Sequence, residues 1–160
     1  MAFLIWIQDS GFSTWLRESD WALFALLIVH TMGMAFLTGI GMVVALRIYG
    51  VAVQLPLQQI VRFAPAMRTG LIAAMVSGAL LVVSYPAKAL TNPLFYLKLL
   101  VIAAAVFTTR RLLARSVANS DAPLSSLVQY TALLSIALWA LAITAGKFLA
   151  YTNKMLLVYQ

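Results

Sequence analysis

Four stretches of this chain are each about 20 residues or longer and almost wholly apolar, the length at which an α-helix crosses the hydrocarbon core of a bilayer. They cover about 21–47, 66–85, 93–113 and 125–151. The first, WALFALLIVHTMGMAFLTGIGMVVALR, is interrupted by His30. The second has Arg68 at its entrance and is closed by Pro86. The third starts at Pro93, with Lys98 near its beginning and Arg110 and Arg111 near its end; the fourth follows Pro123 and carries Lys147 near its end. Composition agrees: of 160 residues, 64% are hydrophobic and 9% charged, and the mean hydropathy is +0.98. A water-soluble domain of this size leaves too much of its surface exposed to hide that much apolar area. The pattern predicts an all-α protein, a four-helix transmembrane bundle over 21–160, with lipid as its main solvent.

Residues 1–20 read differently. Phe3, Trp6, Phe12 and Trp15 alternate with Asp9, Arg17, Glu18 and Asp20, which suits an amphipathic segment lying in the interface. No positive leader region or small-residue cleavage site marks a signal peptide. Tyr49 to Pro65 reads as a loop plus a short surface helix. Arg47, Arg62 and Arg68 fall between the first and second spans, and Arg110, Arg111 and Arg115 between the third and fourth. The opposite side holds Arg17, Lys88 and Lys154, with Lys98 and Lys147 just inside the spans, and three acids, Asp9, Glu18 and Asp20. The arginine-rich side is therefore expected to be cytoplasmic, and both termini periplasmic, in a multi-pass protein of the bacterial inner membrane.

Small residues recur at four-residue spacing: Gly70, Ala74 and Gly78 on the second span, Ala35 and Gly39 on the first, Ala142 and Gly146 on the fourth. Such ridges let backbones approach closely. Packing within the bundle is the simpler reading; a dimer face is the other.

Little in the chain can carry chemistry. The net charge of +7 is spread among apolar runs, as cytoplasmic loops and headgroup contacts require, and implies no nucleic acid partner. With no cysteine, disulfides, thiolate metal sites, iron–sulfur clusters and covalent haem attachment are excluded. No hydrolytic triad, HExxH, P-loop or dinucleotide fingerprint is present. His30, Lys98 and Lys147 remain.

His30 stands nine residues into the first span, about 14 Å along the axis, where an unpartnered polar group costs a few kcal/mol. Three readings compete. A neutral His30 bonds a neighbouring helix and fixes packing. Alternatively it is an axial ligand to a b-type haem, with Gly33 making room for the macrocycle. Or it holds a copper ion together with Met34, with or without Met32, since imidazole and thioether suit that metal. The haem reading must find its second ligand in a methionine, an open position, or His30 of another copy. Lys98 and Lys147 lie in the outer half with His30, Tyr85, Tyr96 and Tyr151. They either snorkel to the headgroups or line a polar pocket for an anionic group: haem propionates, a quinone head or an anionic solute. Trp139 reads as a packing or belt residue, the arginines as a cytoplasmic anchor and the scattered methionines as core fillers.

The segments WALFALLIVHTMG, RFAPAMRTGLIAAMVSGALL, TNPLFYLKLL and ALWALAITAGKFLAYT together resemble a family of small bacterial four-helix membrane proteins of unknown function. The third segment is also distantly similar to the membrane domain of copper-resistance protein D. The resemblance implies a four-helix fold and singles out His30 and Gly33, then Asn92, Phe95 and Lys98, then Trp139, Gly146 and Lys147. Relatives carry an acid before the first-span histidine, where this chain is apolar, and a second histidine near Phe107, Thr108 and Thr109.

The expectation is a small redox or cofactor-binding subunit. Its candidate residues are His30, Gly33, Met34, Lys98 and Lys147, with His30 the metal ligand of a possible haem b, and it passes electrons to a partner rather than running a reaction alone. Its partners are the bilayer and other membrane subunits or further copies of itself. A non-catalytic scaffold with a structural His30 is the alternative, and a small solute or copper-handling protein the third.

Overall fold

The computed structural model describes residues 2–118 and 125–158. Pro123, placed at the head of the fourth span, lies outside them, as does the side chain of Lys154. The described residues form helices and connecting turns, with no strand among them. In chain order these are α1 (Ala2–Gln8), α2 (Gly11–Glu18), α3 (Ala22–Tyr49), α4 (Leu57–Val61), α5 (Ala64–Ser84), α6 (Pro86–Leu90), α7 (Pro93–Ala118) and α8 (Ser126–Val158). Among the described residues three helices are long and apolar enough to cross a membrane: α3, the α4–α5 stretch from Gln58 to Ser84, and α8 as far as Leu149. The third predicted span is also one helix, α7, of 26 residues. It carries Lys98, Arg110, Arg111 and Arg115 and is not among those three.

Local chemistry sets the breaks. Gly50 ends α3 in the left-handed conformation, φ 106°, and its N–H donates to Leu46 O at 3.2 Å, an end that favours glycine. Pro86 lacks an N–H and cannot continue α5, so the chain turns into the short α6. The Leu94 N–H donates to Asn92 Oδ1 at 3.0 Å, an N-cap that starts α7.

The predicted N-terminal segment is two helices rather than one. Ser10 interrupts it, its Oγ accepting from the Ser13 N–H at 3.3 Å. Both helices pack at the end of the molecule where α5, α6 and the start of α3 meet. There Ser13 Oγ donates to Val83 O at 2.9 Å and Arg17 Nη1 to Ser84 O at 3.2 Å. Carbonyls in the last turn of a helix have no intrahelical donor and carry the negative end of its dipole; α2 supplies a hydroxyl and a cation to them. Arg17→Met is therefore expected to loosen α2 from α5 by about 1–2 kcal/mol. Hydrogen exchange in detergent checks this: α2 amides should exchange faster while those in the middle of α3 stay unchanged.

α3 is the centre of the fold. It packs on one side against α5 and on the other against α8, with α7 paired to α8. The α3–α5 crossing is close because Gly33 and Gly70 face each other. A Cβ on Gly33 would stand 2.8 Å from Ala74 N and 2.9 Å from Gly70 O. On the far side, Trp139 of α8 is fully buried against Gly41, where a Cβ would collide with the indole. Its Nε1 donates to Thr109 Oγ1 at 3.0 Å, and Thr109 lies 3.2 Å from Ser135 Oγ. The second-span ridge packs inside the molecule, Gly70 and Ala74 against α3 and Gly78 against His30. The Ala35–Gly39 ridge faces outward. Residues 33, 37 and 41 make up the inner face of α3, and positions 35 and 39 stand about 200° around the helix from them.

Candidate functional site

α5 and α7 flank α3 without packing extensively against each other. The gap between them is a cleft of about 700 Å³, with α3 as its floor and α6 and the end of α8 at one extremity. Its walls are leucine, valine, alanine and methionine, with three basic side chains: His30, Lys88 and Lys98. The rim includes Met75 of α5 and Leu99 of α7, 65% and 50% exposed, so the cleft opens sideways on the apolar flank of the molecule.

His30, the ninth residue of α3, is half-buried and turned toward α5. Its Nδ1 lies 3.1 Å from Ala74 O and 3.1 Å from Ser77 Oγ. The Ser77 hydroxyl also reaches Ala73 O at 2.5 Å. A carbonyl only accepts, so a proton on Nδ1 is donated to Ala74 O, leaving Nε2 as an acceptor. Nε2 has no hydrogen bond to protein among the described residues, and the ring lines the cleft. One imidazole nitrogen held by a backbone carbonyl, the other offered to a cavity, is how proteins orient a ligating histidine. The room for the ring comes from Gly78, where a Cβ would stand 3.1 Å from Cε1.

Lys98 projects from the first turns of α7 and is half-buried. Its chain passes Gly146 of α8, where a Cβ would meet Cε at 3.8 Å and Nζ at 3.9 Å. It is near enough to His30 for the two to interact electrostatically, and no carboxylate among the described residues does the same for it. Asp9, Glu18 and Asp20 are all exposed at the surface. Lys88 lies over the Tyr85 ring at 5.0 Å, a cation–π contact at the same end of the cleft.

His30, Met34 and Lys98 thus share one cavity. Gly33 does not border it: the space beside that glycine is filled by the α5 backbone, so the room it makes is for a helix and not for a macrocycle. Lys147 is exposed and outside the cleft, while its neighbour Gly146 lines it. Of the copper candidates, His30 and Met34 border the cleft, while Met32 is 56% exposed and turned away, since two residues along a helix point about 200° apart. Among the described residues no three His, Asp or Glu side chains gather as a metal site. Ser77, Gly78 and Lys88 belong to the site although sequence reasoning passed over their role. The usable signal was a Ser–Gly pair deep in an apolar span, opposite a histidine in need of a partner.

No protein-family model, no curated protein and no solved structure matches this chain.

Proposed function

We propose that this protein is a membrane-embedded redox subunit whose cleft holds a redox-active ligand at His30. The observation that supports it most is the imidazole itself, fixed through Nδ1 at Ala74 O and Ser77 Oγ while its ring lines an apolar cavity. In this reading α3, α5, α7 and α8 all span a bacterial inner membrane, and the six arginines lie on the cytoplasmic side. The α1 and α2 helices lie in the outer interface, where the exposed Phe3, Trp6, Phe12 and Trp15 meet headgroups. The cleft then opens in the outer half of the bilayer. With no paired acids or nucleophile beside the ligand, the subunit relays electrons to a partner chain and runs no complete reaction. It stands with the small four-helix bacterial membrane proteins it resembles.

A b-type haem is the first ligand of this class to test. His30 would hold such a haem through its imidazole, and Lys98 and Lys88 would meet its propionates. The α7 wall opposite offers Phe95, Lys98, Leu99 and Ile102, neither imidazole nor thioether, so His30 would be the side chain of this cleft that holds the iron.

Purified in mild detergent, the protein is expected to carry a ligand whose absorbance changes on dithionite reduction. His30→Ala should lower its occupancy about tenfold or more. A well-folded protein without any such ligand, or occupancy indifferent to His30, would overturn the reading. The second reading is a scaffold subunit, favoured by the bond His30 makes to α5; it predicts a colourless protein that copurifies with other chains.

A further inference from the structure

We propose that the ligand of the cleft is a membrane quinone together with its quinol, admitted from the bilayer between α5 and α7. The inference rests on the reading of the cleft as a redox site at His30 and names the compound that occupies it.

The surroundings of His30 Nδ1 carry the argument. Two groups stand at 3.1 Å from it, and they differ in kind: Ala74 O accepts only, while Ser77 Oγ can also donate. With the proton on Nδ1, Ala74 O takes it, Ser77 turns its hydroxyl to Ala73 O, and Nε2 presents a lone pair to the cleft. With the proton on Nε2, the Ser77 hydroxyl donates to Nδ1 instead, and the ring presents an N–H. Both tautomers are thus satisfied from the protein side. An axial metal ligand needs only the first. A quinol hydroxyl donates to a lone pair, and a quinone carbonyl accepts from an N–H, so this pair of compounds uses both.

The rest of the cavity fits the same occupant. Lys98 is a donor without a carboxylate partner among the described residues, and its ammonium can serve an oxygen of either compound. An amine at this depth is costly unless something polar meets it. The remaining wall is apolar, and the opening past Met75 and Leu99 faces where lipid chains lie. That matches a ligand with a small oxygenated ring and a long hydrocarbon tail, which reaches its site from the membrane rather than from water.

The test uses the full chain in lipid nanodiscs, with decyl-substituted benzoquinone and its quinol as probes and binding read by titration of each form. Wild type is expected to bind both. Lys98→Met should weaken both about tenfold. Ser77→Ala removes the only donor to Nδ1, so it should weaken the quinone about fivefold and leave the quinol nearly unchanged. A purely structural serine would move both forms equally, and that result overturns the proposal. So does a stoichiometric haem that is lost in His30→Ala, which would leave the redox-subunit reading standing. Failure to bind either quinone form or any haem would remove both.

Discussion

Leucine in place of Gly33 is expected to force α3 and α5 apart and to cost about 3 kcal/mol. Even the first carbon of a side chain would stand 2.8 Å from Ala74 N and 2.9 Å from Gly70 O. Both are backbone atoms and cannot rotate away, so the helices must separate. The damage should reach the cleft, because Ala74 O and Ser77 Oγ, which hold His30, lie on the displaced helix. Thermal unfolding in detergent reads the stability, and loss of the His30-bound ligand reads the second effect. Gly39→Leu is the matched comparison: a Cβ there meets nothing within 4 Å, and the change should stay within about 0.5 kcal/mol. Equal stability of the two variants would show that α3 and α5 do not cross this closely.

Trp139→Ala is expected to be as severe, about 3–5 kcal/mol. The side chain is fully buried where α8 meets Gly41 of α3, and its Nε1 ties α8 to α7 through Thr109. Trp139→Phe keeps most of the volume and deletes the donor, so it should cost about 1–2 kcal/mol, the scale of one buried hydrogen bond. The difference between the two variants, read from the same unfolding curves, divides packing from hydrogen bonding. If phenylalanine proved as damaging as alanine, the polar contact and not the filled volume would hold α7, α8 and α3 together.

How far these features were legible beforehand depends on the physics behind each. Apolar length announced four long helices, and Pro86 and Pro93 announced two of the places where they break, because those signals are local. The short α4 and the break at Ser10 follow the same kind of rule, although the latter was read through. The depth of His30 and its need for a partner were legible too. Its partner was not, since Ser77 lies 47 positions away and nothing local links them. Rotation about the helix axis was the other blind spot. α3 is apolar nearly all round, and a helix without a polar face does not say which side turns inward. Hence Ala35 and Gly39 read as a contact ridge although Gly33 and Gly41 are the positions that meet neighbours, and Gly33 looked like room for a cofactor when Gly78 makes room for the ring. Lys98 and Lys147 were equivalent by depth and are distinguished only by the face they occupy. The charge on α7 has a similar origin: Lys98 turns to the cleft, while Arg111 lies over the Phe107 ring at 4.7 Å.

The bonds from α2 to the end of α5 join residues 70 and 67 positions apart. A chain is synthesised from its N-terminus, so Ser13 and Arg17 leave the ribosome well before Val83 and Ser84 exist. The first two helices must wait, unseated, until α3 and α5 have both been made and have packed together. Their docking is then a late step in folding, completed only when the end of α5 is in place. A chain whose α5 fails to pack beside α3 leaves Ser13 and Arg17 without the carbonyls of Val83 and Ser84, so the seating of α2 reports that the α3–α5 pair is complete.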